Sequence, residues 1–177
     1  GGAVNWGGYL TPALGGGVLR GSISSLPGYP DDPHTLAYAW EPGRAYRLRV
    51  CASPDVARAW RADITDLQTG LTTVVRDLYP PSGRGDAAGY LTRPLVWSEV
   101  FAPCDAPSVT VRWSDLRAIH EDGTVLRPER VSVNYQAEAA GGCTNTSCAV
   151  DDKGLLQITG VPRAVAQDTE LPVTRRA

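Results

Sequence analysis

The chain has 177 residues, a formal net charge of -2 at pH 7 and 20% charged residues. That length allows one domain with a substantial core, or one domain and a tail. The near-neutral charge lacks the basic excess of a nucleic-acid-binding protein, and no apolar run approaches the roughly 18 residues of a membrane-spanning helix. We therefore expect neither a nucleic-acid partner nor a membrane span.

The sequence contains no methionine and has four cysteines. The missing initiator methionine predicts a mature chain from which a signal peptide has been removed. An even number of cysteines without a Cys-x-x-Cys pair, together with only two histidines, favours disulfide bonds over zinc ligation. The predicted location is therefore secreted, and no metal or cofactor is expected.

Glycine and proline recur throughout the chain, and no segment keeps a helical period. Short alternating runs bounded by turn residues are present instead, which is typical of an all-β fold. Residues 1–33 are rich in glycine and proline and predict loops and short strands. The next strands are predicted at residues 36–40, 46–50, 60–65 and 71–75, with a hairpin connection at residues 66–70.

Residues 94–101 alternate with a period of two, which predicts a strand. One face of that strand would carry Trp97, Glu99 and Phe101, a carboxylate between two aromatic rings. Burying an unpaired acid is costly, so Glu99 is either a structural acid paired with an arginine or the centre of a binding or catalytic surface. The candidate partners in the first case are Arg47, Arg49 and Arg112.

Further strands are predicted at residues 109–113 and 131–135, with a hairpin over residues 119–126 in which an Asp-Gly step supplies the left-handed turn. From residue 136 onward the sequence is small, polar and cysteine-containing. We therefore predict an antiparallel β-sandwich or jelly roll over residues 1–135. Residues 136–177 are predicted to form an irregular, disulfide-stapled C-terminal arm or small lobe.

The four cysteines allow three disulfide pairings. Cys51 ends one predicted strand and Cys104 follows another, whereas Cys143 and Cys148 are only five residues apart. Locality therefore favours the bridges Cys51–Cys104 and Cys143–Cys148, although the sequence leaves the other pairings open.

A set of local patterns between residues 38 and 116 carries a family resemblance. It consists of an aromatic-x-Pro-Gly turn at residues 40–43, Tyr-x-Leu-x-Val at residues 46–50, Trp-x-Ala-x-Ile-x-Asp from Trp60, and the Trp-Ser-Glu step at residues 97–99. With the ending at residues 133–146, these patterns resemble a group of secreted, mostly actinobacterial proteins known only as a domain of unknown function. The resemblance implies a concanavalin-A-like sandwich of two antiparallel sheets with one concave face.

A weaker resemblance is to the eqolisin glutamic peptidases, which share that sandwich. It rests on Asn-Trp-Gly-Gly at residues 5–8, on Glu99 beside aromatic residues and on Gln68 in a Leu-Gln-Thr-Gly context. In such an enzyme Glu99 would act as the general base and Gln68 would stabilise the developing oxyanion. The family's Glu-Trp-Tyr-Pro stretch is missing and Gln68 lies in a predicted turn, so the sequence favours a non-catalytic protein.

Aromatic rings beside an acid on a concave sheet suit sugar binding, because a ring stacks on the apolar face of a pyranose while the carboxylate accepts hydroxyl hydrogen bonds. The predicted function is therefore non-catalytic binding of a carbohydrate or a cell-surface glycan. Two alternatives stay open, namely a structural or assembly protein that self-associates through its terminal arms, and a hydrolase using Glu99. The predicted ligand-binding residues are Trp60, Trp97, Glu99, Phe101 and Trp113.

Overall fold

A computed structural model describes residues 2–6, 17–18, 35–79 and 94–173. Their regular structure is antiparallel β-sheet, with one short 3-10 helix at Glu138–Ala140 and no α-helix in these ranges. The all-β prediction is confirmed, whereas the sandwich or jelly-roll arrangement stays a prediction. Most of the glycine- and proline-rich residues 1–33, and the last four residues of the predicted C-terminal arm, lie outside the described residues.

The chain forms two compact units, Gly1–Arg93 and Pro94–Ala177. In the first unit, a four-stranded sheet has the order β2-β6-β5-β4, and β1 pairs with β3. The predicted domain boundary at residue 135 stays a prediction. The described strands of the first unit are β1 (Ala3–Asn5), β2 (Gly17–Val18), β3 (Thr35–Ala37), β4 (Tyr46–Ala52), β5 (Trp60–Asp66) and β6 (Thr72–Tyr79).

The second unit contains a three-stranded sheet and two two-stranded sheets. Its described strands are β7 (Thr110–Trp113), β8 (Ala118–Ile119), β9 (Val125–Leu126), β10 (Arg130–Ser132), β11 (Thr146–Asp151), β12 (Gly154–Thr159) and β13 (Glu170–Pro172). The sheets have the orders β11-β12-β7, β8-β9 and β10-β13. Because β12 pairs with both β11 and β7, a strand from residues 136–177 is the central strand of this sheet.

Close approach between β12 and β7 requires a glycine at the start of β12. Gly154 has a φ of 140°, and a Cβ atom placed on it would lie 2.2 Å from the carbonyl oxygen of Trp113. No other residue has both that backbone freedom and that lack of volume. The amide of Gly154 also donates to the Asp151 side chain at 3.0 Å, which closes the turn between β11 and β12.

Two predicted hairpin turns are confirmed. At the end of β5, an Asp66 side-chain oxygen accepts the Gln68 amide at 2.8 Å, and Gly70 adopts a φ of 76°. Between β8 and β9, Gly123 adopts a φ of 86°, and the Asp122 side chain accepts the Thr124 amide at 2.8 Å. Aspartate oxygens that bind local backbone amides, and glycines with positive φ, are the chemistry that such turns require.

The core of the first unit lies on one face of the four-stranded sheet. Its buried residues are Val4, Ala62, Ile64 and Val75. A cluster of three aromatic rings, with centroids 4.7 to 5.7 Å apart, packs beside this core and consists of Tyr38, Trp40 and Tyr46. The indole of Trp40 donates to the carbonyl oxygen of Ala3 at 2.8 Å, which connects β1 to this aromatic cluster.

The predicted strand at residues 94–101 is wrong, because this segment has no regular secondary structure and all eight residues are exposed. Alternation produces a strand only where a neighbouring strand accepts the backbone hydrogen bonds. The segment contacts β12 through the Gln157 side chain, and it pairs with no strand among the described residues. The apolar face that the alternation indicates is therefore presented to solvent.

The favoured disulfide pairing is also wrong. The structure contains a Cys104–Cys143 bridge with a Cα–Cα distance of 5.6 Å, and Cys51 and Cys148 are free thiols. Cys51 belongs to the first unit, whereas Cys104 and Cys143 both belong to the second. Cys148 is buried inside β11, where β12 is its neighbour, so its nearness to Cys143 in sequence does not produce a bond.

Candidate functional site

The five predicted ligand-binding residues divide between the two units. Trp60 starts β5 in the first unit and is half-buried, whereas the other four belong to the second unit. Trp113 ends β7 and is also half-buried. The segment of residues 94–101, which we call the aromatic segment, carries Trp97, Glu99 and Phe101. Four of the five predicted residues thus belong to one unit and Trp60 to the other.

Gln157 on β12 connects Trp113 to the aromatic segment. Its side-chain oxygen accepts hydrogen bonds from the Trp113 indole N–H and from the Ser98 hydroxyl, both at 2.8 Å. Its side-chain nitrogen donates to the carbonyl oxygen of Val96 at 3.3 Å. Because an amide oxygen has two lone pairs, both acceptor positions of Gln157 are used. One side chain therefore holds an indole ring and two positions of the segment together.

Trp97 lies between the two positions that Gln157 holds, and it is 53% exposed. Phe101, further along the same segment, is 63% exposed. A ring presented from a restrained backbone loses less conformational entropy when it binds than a ring on a free loop. The aromatic segment is therefore suited to stacking against an apolar surface of a ligand.

Glu99 is exposed in this segment, and two of its predicted structural partners are engaged elsewhere. Arg49 binds Asp63, with Nη2 at 2.6 Å from a carboxylate oxygen. Arg112 binds Asp151 across the β11-β12-β7 sheet. The interpretation of Glu99 as a structural acid paired with Arg47, Arg49 or Arg112 therefore stays a prediction, and Glu99 itself is exposed.

Gln68 has a structural environment in the first unit. Its backbone amide donates to Asp66 at 2.8 Å, and its side-chain oxygen accepts the Nε–H of Arg44 at 2.9 Å. Glu99 belongs to the second unit. The peptidase-like pairing of Glu99 with Gln68 therefore gains no geometric support from the described residues.

A second candidate region lies on the charged face of the first unit's sheet, opposite its apolar core. Asp63 is only 2% exposed and receives both Nε and Nη2 of Arg49, at 3.0 and 2.6 Å. Arg61 is buried next to it and binds Asp77 at 2.8 Å through two nitrogens, and also Asp55 at 2.6 Å. Hydrogen bonding to Asp77, and then to Asp55, raises the pKa of Arg61 well above its usual range.

A depression of about 390 Å³ opens on this charged face, and we call it the arginine depression. Arg47 faces Thr65 in the β4–β5 register, and Thr65 faces Thr72 in the β5–β6 register. The two threonine hydroxyls are 2.8 Å apart and exposed. The lining residues are Arg47, Arg49, Asp63, Thr65, Leu67, Gly70 and Thr72.

Sequence reasoning found neither Gln157 nor the arginine depression as a site. The alternation of residues 46–50 predicts outward-facing arginines. Their cross-strand neighbours depend on the register between β4 and β5, in which paired residues are up to about twenty positions apart in sequence. Gln157 is one polar residue in the strand Gly154–Thr159, and nothing in the neighbouring sequence distinguishes it. Its role follows from β7 and the aromatic segment, which are 44 to 61 residues away in sequence.

The described ranges show two further facts that bear on function. No group of three or more His, Cys, Asp or Glu side chains in them is arranged to hold a metal ion. A helix with the length and apolar character needed to cross a bilayer is likewise not found among these residues.

Comparison of the chain with protein-family models, with curated proteins and with solved structures finds no match in any of the three. The resemblances to secreted bacterial concanavalin-A-like proteins and to eqolisin peptidases therefore stay predictions. Support for a function comes from the geometry of the aromatic segment and of the arginine depression.

Proposed function

We propose that this chain is a secreted, non-catalytic binding protein that recognises a carbohydrate or a cell-surface glycan with its aromatic segment. The observation that carries the proposal is the exposed Trp97 ring, which lies between two positions held by the Gln157 side chain. A disulfide bond is compatible with an extracellular location, where such bonds persist.

The chemistry of the segment suits a sugar. An indole ring has an apolar face that matches the C–H face of a pyranose, and it loses little conformational entropy on binding. Glu99 is two residues further on and exposed, so its carboxylate can accept hydrogen bonds from sugar hydroxyls. Phe101 offers a second ring from the same stretch.

A glycan array and pull-downs on insoluble polysaccharides test this proposal directly. We expect the wild-type protein to bind, Trp97→Ala to abolish binding, and Glu99→Gln to weaken it. Ile119→Ala is the matched control, because Ile119 is 64% exposed in the same unit but lies outside the aromatic segment. Absence of any glycan binding, or unchanged binding by Trp97→Ala, would contradict the proposal.

A second candidate function is self-association, because the aromatic segment also exposes Leu95 (75%), Val96 and Val100. Contiguous exposed apolar side chains are typical of protein–protein interfaces. The occupant in this case is a second copy of the chain. Sedimentation across a concentration series tests it, and Leu95→Ser should shift the equilibrium toward monomer. A protein that stays monomeric at high concentration would exclude this candidate and leave glycan binding unaffected.

A further inference from the structure

We propose that the arginine depression binds an oxyanion, meaning a carboxylate, sulfate or phosphate group of a ligand, through Arg47 and Arg49. It lies on the β4–β6 strands of the first unit, so the inference does not depend on glycan binding by the aromatic segment of the second unit.

The two arginines project from the same face of β4 because they are two residues apart on a strand. Their backbones are separated by about 7 Å at that spacing, so two long side chains can converge on one oxyanion. Both residues are exposed. A guanidinium presents its N–H groups in a planar fork that matches two oxygens of a carboxylate, sulfate or phosphate group.

The charges around the depression leave a positive excess at Arg47. Arg49 uses Nε and Nη2 on Asp63, and neither of these contacts involves its Nη1 group. Arg61, the next cation on this face, is paired with Asp77 and Asp55. Among the described residues, no carboxylate pairs with Arg47. The lining residues therefore carry two cations against one buried carboxylate.

Hydroxyl groups complete the donor set. Thr65 and Thr72 share one hydrogen bond of 2.8 Å, which uses the hydrogen of one hydroxyl and leaves that of the other. Either threonine can be the donor; when Thr72 donates, the Thr65 hydrogen can be donated to a ligand oxygen beside Arg47, because Thr65 is the cross-strand neighbour of Arg47. The volume of about 390 Å³ is at the lower end of the range of about 300–1,000 Å³ for small-molecule sites.

Titration of the full chain with sodium sulfate, sodium phosphate and sodium glucuronate tests the proposal. Amide chemical shifts are followed while sodium chloride keeps the ionic strength constant, because exposed charges are screened by salt. We expect saturable shifts at residues lining the depression, and the anion that binds most tightly identifies the chemistry of the group. Shifts that grow linearly with every anion would overturn the proposal.

Arg47→Gln is the decisive variant, because it removes an exposed cation that has no carboxylate partner among the described residues and should leave the fold intact. We expect the affinity for the anion to fall about tenfold, as for the loss of one charge-assisted contact. Arg58→Gln is the matched control, since Arg58 is also an exposed arginine of the first unit but does not line the depression. Equal losses in both variants would overturn the proposal.

Two further variants examine Arg49 and the guanidinium fork. Asp63→Asn releases Arg49 from its ion pair and should tighten anion binding several-fold. Unchanged or weaker binding by a folded Asp63→Asn protein would contradict the role of Arg49. Arg47→Lys keeps the positive charge but lacks the planar guanidinium group. We expect its affinity for the anion to lie between those of wild type and Arg47→Gln. An affinity equal to that of wild type would argue against bidentate recognition.

Discussion

Arg61 and Asp77 are direct cross-strand neighbours on β5 and β6 and form a bidentate ion pair with both N···O distances at 2.8 Å. Asp77 is fully buried and Arg61 nearly so. Removing either charge from water is costly unless the other is in place. The ion pair therefore stabilises the observed β5–β6 register, because a shift of one residue would separate two buried charges.

Asp77→Ala should strongly destabilise the first unit. Among the described residues, the substitution leaves the buried Arg61 guanidinium with Asp55 as its remaining acid partner, and breaking a buried pair on one side costs about 3–5 kcal/mol. Urea unfolding followed by tryptophan fluorescence measures the loss. The control is Glu41→Gln, which breaks the more exposed Glu41–Arg44 pair in the same unit and should change stability little. A small change in the free energy of unfolding on Asp77→Ala would contradict the burial of the Arg61–Asp77 pair.

The Cys104–Cys143 bridge should be the disulfide recovered by peptide mapping under non-reducing conditions. Because it closes a loop with a sequence separation of 39, its removal in a Cys104→Ser, Cys143→Ser variant should destabilise the second unit by about 4 kcal/mol. Recovery of a Cys51–Cys104 or Cys143–Cys148 peptide would contradict this connectivity.

The two free thiols should differ in reactivity. Burial raises the pKa of Cys148, against the hydrogen bond from Tyr135 that lowers it. A thiol with a raised pKa has little thiolate at neutral pH, and burial also blocks access. Cys51 is partly exposed, so iodoacetamide should label Cys51 in the native protein and Cys148 only after unfolding. Native labelling of Cys148 at the same rate as Cys51 would show that β11 is open in solution.

Asp151 should contribute an acid-sensitive part of the second unit's stability. The Arg112 side chain, and then the Lys153 amide, lower the pKa of Asp151 from 3.8 to about 2. Since the folded-state pKa lies below the unfolded value, the stabilisation is present above about pH 4 and is lost as the pH falls toward 2. The stability difference between wild type and Asp151→Asn should accordingly shrink between pH 5 and pH 2. A constant difference would mean that Asp151 titrates normally.

Gln157→Leu should release the aromatic segment while retaining β12. The substitution leaves the Trp113 indole N–H and the Ser98 hydroxyl without their shared acceptor. We expect faster hydrogen exchange of the Trp113 indole and weaker glycan binding, because Trp97 loses its restrained backbone. Ser98→Ala removes only one of these contacts and should have a smaller effect on both readouts. Equal glycan affinity in wild type and Gln157→Leu would argue against positioning of Trp97 by Gln157.

Local patterns were enough to predict the strands around residues 46–50, 60–65 and 109–113 and the turns at Gly70 and Gly123. Side-chain alternation and turn chemistry act over a few residues, so they can be read directly from the sequence. The same kind of alternation gave a wrong strand prediction at residues 94–101, because a strand also needs a neighbouring strand with free backbone hydrogen-bonding groups. Whether such a partner is present depends on the tertiary structure, and residues 94–101 pair with no strand among the described residues.

By itself, the sequence determined that the chain is all-β and which residues alternate and turn, because those properties depend on neighbours along the chain. The tertiary structure alone decided which cysteines join, that Gln157 holds the aromatic segment, and that Arg47 faces Thr65 beside a paired Arg49. Each of these contacts joins residues 14 to 61 positions apart. Their partners are chosen by strand register and packing, which local sequence does not encode.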